Sequence, residues 1–516
     1  MKRPFAVFGL ALFFVMIAIA RVNSMAVTCA VLAGSVVLLP VSFCVKRSRR
    51  SGVLPTVFLA ATVGCLLLLC VSWLAVRPAR AALGEKTPVV AVARSYPEKG
   101  SNPKRRYITA SIQSIGGKQF RSKLRLSLPA KETALCDCTF EIVPGDTIEF
   151  VGTVYEIGGG QWDIQRSFYS RNIFLGAYPT ERVTRTAGGV SLRYGFVRAR
   201  YRMVRYLRQN LPADAAGLAI SVLLGDKSAL PDGVYADFKG AGIAHIMAVS
   251  GLHLSIWTFL GMWLLSRGGK NKRKAAALSM AFVLAVMALA LFSGSVLRAG
   301  LMLLVYLGGF LLRRTPDSLN SLGFAAAVIL LAAPTLCMGV GFILSVLSTL
   351  AILTLALPLV QPAKRRLERS RAPRLVKAVL TAALTTAAIS VCVSVVTLPV
   401  QVDSFETVSL VSVLSNLLIL PAVMPLLLCS GGFAATASVP VLSTVMKRAL
   451  GVLTRYCFWV AHSCSHLPNA VLVVSRQYAW AALLGSGLIC AALALLLRAM
   501  RKKAKRDPLR MGLHID

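Results

Sequence analysis

Residues 223–256 read LLGDKSALPDGVYADFKGAGIAHIMAVSGLHLSI. The stretch runs from a charged, turn-rich segment straight into an apolar one. His245, His253, Ser250, Gly242 and Gly251 stand where a lipid-buried helix would hold only Leu, Val and Ile. Polar and helix-breaking residues at membrane depth are tolerated only where protein or water surrounds them. The stretch therefore predicts a cavity or passage inside a membrane domain, which favours transport over anchoring.

Composition supports that setting. Of 516 residues, 56% are hydrophobic, against about 45–50% in soluble proteins, and the mean hydropathy is +0.68. The formal net charge is +38, from 58 Lys and Arg against 20 Asp and Glu. Short cytoplasmic loops collect basic residues, and a polyanionic ligand would select them too. Charge alone does not separate the two. Of twelve cysteines, only Cys136 and Cys138 fall in a polar insert, and a bridge between residues so close would be strained. The others lie in or beside apolar runs, where Cys acts as a small hydrophobe.

A spanning helix needs about 20 mainly apolar residues. Such stretches are 5–21, 25–44, 53–76, 243–265, 275–293, 295–312, 319–336, 339–360, 376–398, 407–429, 450–467 and 478–498. The first has no convincing cleavage site and reads as a retained helix rather than a signal peptide. The segment 431–446, rich in Gly, Ala and Ser and carrying Pro440, reads as re-entrant or half-buried. With alternating helices, seven basic clusters fall on one side: Lys2 with Arg3, 46–50, 270–274, Arg313 with Arg314, 364–377, Lys447 with Arg448, and the tail from Arg498. By the positive-inside rule that side, with both termini, is cytoplasmic. The insert after the third helix is then extracytoplasmic.

The insert, within 77–190, changes period. In Gln119–Leu128, QFRSKLRLSL, the side chains of Phe120, Leu124, Leu126 and Leu128 alternate with Arg121, Lys123 and Arg125. That is a half-buried strand with a basic outer face. Ile108, Ala110 and Ile112 alternate likewise, and Gly145-Asp146 opens another strand, TIEFVGTVYEI. Several short strands with Gly turns predict a small OB-like barrel, a shape that binds extended polyanions along an open face. Tyr107, Phe120, Trp162, Phe168 and Tyr169 are the aromatic candidates for stacking, several of them needed for the core. The expected fold is thus a polytopic α-helical membrane protein with an inserted small β-barrel.

Residues 191–242 read as amphipathic helices at the membrane surface. In LRYGFVRARYRMVRYLRQNL (192–211), Val197, Tyr201, Val204, Leu207 and Leu211 make an apolar face beside Arg198, Arg202 and Arg205. Such a helix rests on lipid headgroups or forms a phosphate-contacting collar at a pore mouth.

Three features admit more than one reading. His245 and His253 fit a hydrogen-bonded structural pair or the lining of a polar passage at a helix broken by Gly251. No nearby Asp, Glu or Cys completes a metal site, and a buried catalytic pair remains a third alternative. Arg298, near the start of an apolar helix, either snorkels or faces inward toward phosphate or a carboxylate. An Arg at mid-membrane costs roughly 2.5–3.5 kcal/mol on insertion scales. CFWVAHSCSH (457–466) groups Cys457, His462, Cys464 and His466, yet its spacing fits no standard zinc pattern, so no metal is expected. No Walker-type glycine loop is present, and no His-x-His-x-Asp-His cluster. Neither a cofactor nor enzymatic activity is expected.

LLGDKSALP followed by FKGAGIAHIMAVSGLHLS closely resembles the competence region of the ComEC family, inner-membrane DNA channels of natural transformation. GSVLRAGLM (294–302) with DSLNSLGFAA (317–326), GVGFILSVLSTLAIL (339–353), TLPVQVDSF (397–405) and SLVSVLSNLLILP (409–421) resemble its further helices, with Ile343 where Gln is usual. GDTIEFVGTV and WDIQRSFYSRNI resemble the family's soluble domain. The resemblance covers about 25–470. It implies a channel domain at 243–498, followed by a basic tail at 499–516, that takes up single-stranded DNA. His245, Ser250, Gly251, His253, Arg298 and Asn416 would line the route. Arg121, Lys123, Arg125, Arg198, Arg202 and Arg205 would contact DNA. Many members continue into a metallo-β-lactamase-like domain that this sequence lacks. A separate nuclease, an outer DNA receptor and a cytoplasmic motor are therefore the expected partners, beside membrane lipid. The alternative is a non-DNA transporter or lipid-handling protein of the same architecture.

Overall fold

The computed structural model of the chain describes residues 3–44, 52–100, 102, 104–120, 122–129, 142–188, 194–266, 272–436 and 439–506. Arg121, Cys136, Cys138 and the basic run 46–50 lie outside the described residues. The chain divides into two compact units: Met1–Val204 with Met280–Ile343, and Arg205–Ser279 with Leu344–Asp516. Residues 280–343 thus group with the N-terminal part.

Among the described residues, eight helices are long and apolar enough to cross a membrane: Pro4–Val22, Met25–Ser42, Val53–Ala81, Gly294–Leu312, Val340–Arg369, Arg374–Phe405, Ser412–Ala435 and Arg476–Met500. The protein is a multi-pass membrane protein. Four further stretches expected to span form helices with other bounds. Gly251–Ser266 starts later than expected, because Gly251 opens the helix rather than breaking it. Lys272–Leu289 begins on three basic residues, and Ser318–Ala332 is short. Pro440–Ser465 is one continuous helix, so 440–446 is no separate half-buried segment. Pro440 sits in its first turn, where the missing N–H costs nothing.

In the first unit, Pro4–Val22 packs along Ser318–Ala332. Gly9 and Gly323 bring the backbones together: a Cβ on Gly9 would collide with the Gly323 carbonyl, and one on Gly323 with the Phe5 carbonyl. Small residues at such crossings let helices in lipid approach closely. Asp317 caps Ser318–Ala332 by accepting the Asn320 N–H at 2.8 Å, and its carboxylate pairs with Arg3 at 2.7 Å. The Asn320 Oδ1 in turn accepts the Ala6 N–H at 3.1 Å.

The same unit holds the barrel. Its strands are β1 (Gly84–Ala93), β2 (Glu98–Lys99), β3 (Arg105–Ile115), β4 (Lys118–Gln119), β5 (Lys123–Pro129), β6 (Thr147–Glu156), β7 (Ile173–Pro179) and β8 (Thr184–Thr186). The order β1-β3-β5-β7-β6 closes through a β1–β6 pairing, and β5–β7 is the parallel pair. Closure removes the exposed strand edge. Period-two alternation fills the interior with Ile108, Ala110, Ile112, Leu124, Leu126, Leu128, Ile148 and Phe150, all buried. Asp146, in the turn before β6, is buried and fully engaged. Its carboxylate accepts from the Val143 and Gly188 N–H groups at 2.9 and 3.1 Å and from the Arg185 Nε at 2.8 Å. The barrel is the OB-like domain the alternation predicted.

In the second unit, Ala213–Leu224 departs from the expected surface amphipathic helix. Ala215 to Val222 are buried without a break. A helix apolar all round belongs in an interior. Arg374–Phe405 packs with Ser412–Ala435 and with the C-terminal helix, and a two-stranded ribbon, β9 (Thr407–Ser409) with β10 (Val471–Val473), joins the helix ends. Buried Asp403 pairs with the Arg476 Nε at 3.0 Å beside that ribbon.

Candidate functional site

Strand alternation that fills the barrel interior fixes what stands outside. Tyr107 on β3, Arg125 on β5 and Tyr155 on β6 all point outward, opposite to the buried phase. Register aligns Thr109, Arg125, Gly176 and Tyr155 in one row across β3, β5, β7 and β6. Gly176 is the gap in that row: a Cβ there would run into the Tyr155 ring, so the phenol lies across the strand. The Arg125 guanidinium stacks over Tyr107 at 4.0 Å and over Phe168 at 4.9 Å. Arg105 donates to the Ser127 Oγ at 3.0 Å and lies 5.6 Å from the Tyr178 ring. The Tyr155 and Tyr178 centroids are 6.1 Å apart. At Arg125 opens a cleft of about 220 Å³, lined also by Glu98, Tyr107, Ser167, Phe168 and Arg171. Lys123 donates from Nζ to the Arg171 carbonyl at 3.2 Å. Burial, and then the nearby Arg94, lower its pKa. Burial also raises the Tyr155 pKa.

This face thus interleaves aromatic rings with guanidinium groups, the pairing that suits bases and phosphates together. Two of the five aromatic candidates, Tyr107 and Phe168, belong to it. Tyr169 is core: burial and then Glu156 push its phenol up to about 12. Phe120 and Trp162 pack against the core as well, and so does Phe168, which is half-buried between the core and Arg125. Tyr155 and Tyr178 were missed, although an aromatic in the outward phase of TIEFVGTVYEI was the available signal for Tyr155.

The arginines of Gly195–Asn210 do different jobs. Arg198 is half-buried and donates to the Pro144 carbonyl at 3.2 Å, bracing the Gly145 turn. Arg202 and Arg205 are exposed. Tyr201, exposed on one side, stacks on Tyr96 at 3.8 Å, rings nearly parallel at 14°.

In the second unit the 223–256 stretch breaks at Gly242, and Gly251 opens the next helix. Helix Asp232–Gly240 ends at a turn in which Gly242 has φ +75°, and a Cβ there would press on Ser412 and Ser409 at 2.7 and 2.9 Å. A 3-10 turn, Ala244–Met247, follows, then extended residues, then Gly251–Ser266. His245 is exposed while Ile243, Ile246 and Met247 around it are buried. Ser250 precedes the helix, and its backbone N–H donates to Nδ1 of His253 at 3.2 Å. The Ser250 Oγ lies 2.8 Å from the same nitrogen. A side chain at the third helical position reaching back to the cap N–H is half of a capping box. His253 is only 1% exposed, and its Nε2 has no hydrogen-bond partner among the described residues.

Asn416 is buried between helices, donating to the Ser390 Oγ at 3.2 Å, with its Oδ1 unpartnered among the described residues. Its neighbour Ser415 donates to the Ala241 carbonyl, tying the turn to Ser412–Ala435. Arg298 belongs to the other unit. It is half-buried, with Nη1 3.6 Å from the Met302 sulfur.

Residues 222–499, more than half of the chain, match the family described as Competence protein. A protein of Bacillus subtilis (strain 168), ComE operon protein 3, is 28% identical over 208 residues, which are 40% of this chain and 27% of that protein. The match therefore spans well under half of that relative's length. No solved structure matches.

Proposed function

The chain belongs to the competence protein family, and on that premise we propose that it admits single-stranded DNA across the cell membrane. The barrel stands outside and captures the strand. Tyr107, Tyr155, Tyr178 and Phe168 offer surfaces for bases, while Arg125, Arg105 and Lys123 meet phosphates. The broken segment 241–253 then lines the route, with Ser250, His245 and His253 replacing the water that a phosphate loses. Gly251 opens the helix that carries His253. Asn416 is a secondary lining group, and Arg202 and Arg205 guide the strand near the surface. Both termini lie in the cytoplasm. Transport draws on a motor or a binding gradient, and an outer receptor delivers the strand.

The observation that supports this reading most is the row Thr109, Arg125, Gly176, Tyr155 with Arg125 held against Tyr107 and Phe168. A stacked guanidinium beside further exposed rings serves a planar, anionic polymer better than it serves a folded core.

The test uses the full chain in lipid nanodiscs and fluorescent oligothymidylate. Affinity should fall with salt, with a log–log slope of about −0.7 per neutralised phosphate. The double variant Y107A/R125A should bind weakly. Salt-independent binding, or a double variant that binds as the parent does, would overturn the capture role and favour a non-DNA transporter.

A further inference from the structure

The C-terminal end of helix Pro440–Ser465 carries His462, and His466 follows as its cap. Four residues apart on a helix, two side chains share a face, and the two ring centroids are 4.1 Å apart. Helix Asp232–Gly240 packs against this end. Phe238, fully buried, meets Phe458 edge to face at 6.1 Å. Gly240 lets the backbones approach, since a Cβ there would sit 3.1 Å from the Ser465 Cβ. That packing turns Asp237 toward the histidines. Its Oδ2 lies 3.1 Å from the His462 Nδ1, and its Oδ1 lies 3.9 Å from the His466 Nδ1. Ligand atoms of all three residues fall within 4.8 Å of one another.

We propose that Asp237, His462 and His466 bind one divalent transition-metal ion of the zinc type. Two imidazoles and one carboxylate suit Zn²⁺ or its first-row neighbours, whereas Mg²⁺ and Ca²⁺ prefer oxygen ligands alone. The side chains of His462 and His466 are 66% and 61% exposed and that of Asp237 26%. The ion therefore keeps an open position for water or an anion, as sites with three protein ligands do. The Ser465 hydroxyl, donating to the Asp237 Oδ1 at 3.1 Å, steadies the carboxylate from behind. The His466 Nδ1 sits 2.9 Å from the His462 carbonyl oxygen, to which it donates; to ligate the ion it gives up that bond, and the neutral ring carries its proton on Nε2 instead. The bound metal pins the end of Asp232–Gly240, from which the 241–253 segment departs, so occupancy sets how firmly that segment is anchored. The proposal does not depend on DNA being the cargo.

The test compares the full chain in detergent, stripped with chelator and re-equilibrated with ZnCl₂, with D237N and with H462Q/H466Q. Twelve cysteines offer other zinc sites, so the reading is a difference. The parent should hold one more equivalent than either variant, and zinc should raise its melting temperature but not theirs. Co²⁺ should give weak d–d bands lost in both variants, without thiolate charge transfer. D237N, which keeps the acceptor for Ser465, guards against misfolding of the double variant. An equal zinc count in the parent and a monodisperse D237N overturns the site. So does a parent that binds no zinc, which leaves a plain Asp–His ion pair.

Discussion

Nδ1 of His253 accepts the backbone N–H of Ser250 at 3.2 Å. A neutral imidazole that accepts at Nδ1 carries its proton on Nε2. That N–H is buried and unpartnered among the described residues, and leaving such a donor unsatisfied costs about 1–3 kcal/mol. A passing phosphate oxygen would recover the cost. His253→Ala should therefore lower entry of labelled DNA by about tenfold or more, a hydrogen bond to a charged group being worth about 1.5–3 kcal/mol. Surface binding should stay unchanged. His253→Gln keeps both a back-bonding oxygen and an N–H₂ and should retain most of the entry. Equal entry in the alanine variant would remove His253 from the route.

Arg125→Lys separates charge from shape. The ammonium keeps the charge but cannot lie flat between Tyr107 and Phe168. Losing a stacked cation worth about 1–2 kcal/mol predicts oligonucleotide affinity about five- to thirtyfold weaker. The salt slope should be unaltered. Affinity and slope both equal to the parent's would mean that Arg125 is only a phosphate contact.

Gly176→Ala tests the Tyr155 platform. The new methyl meets the ring, so the phenol must swing away from the row. Affinity should fall several-fold while the melting temperature moves little, because the clash is with the far end of a side chain. Adding Tyr155→Ala should produce no further loss of affinity, which a double-mutant cycle reads directly.

Asp146→Ala addresses stability alone. It removes a buried carboxylate from Arg185 and from two backbone N–H groups. Breaking one side of such a pair costs about 3–5 kcal/mol. Limited proteolysis of the full chain should then cut within the barrel while leaving the membrane helices whole. Cleavage no faster than in the parent would refute the assigned role.

Local periodicity made much of the barrel legible. Ile108–Ile112 and Phe120–Leu128 alternate so regularly that their inward residues could be named, and Leu124, Leu126 and Leu128 are buried as expected. The row that aligns Arg125 with Tyr155 depends instead on register between strands far apart in sequence, which no short window encodes. Ala213–Leu224 was readable in principle, since ADAAGLAISVLL has no polar face, but the arginines before it suggested a surface. Asp237 and His462, 225 positions apart, meet only because two helices pack. The spacing within CFWVAHSCSH therefore gave no sign of that carboxylate.

Gly9 and Gly323 interlock in the first helix and in one synthesised some three hundred residues later. During biogenesis the opening helix must enter the bilayer long before its mate leaves the ribosome. Arg3 and the backbone amide of Ala6 wait through that interval for partners 314 positions downstream. The first unit therefore acquires its final packing late in translation. Truncation before residue 317 would leave an inserted but orphaned segment, exposed to membrane quality control.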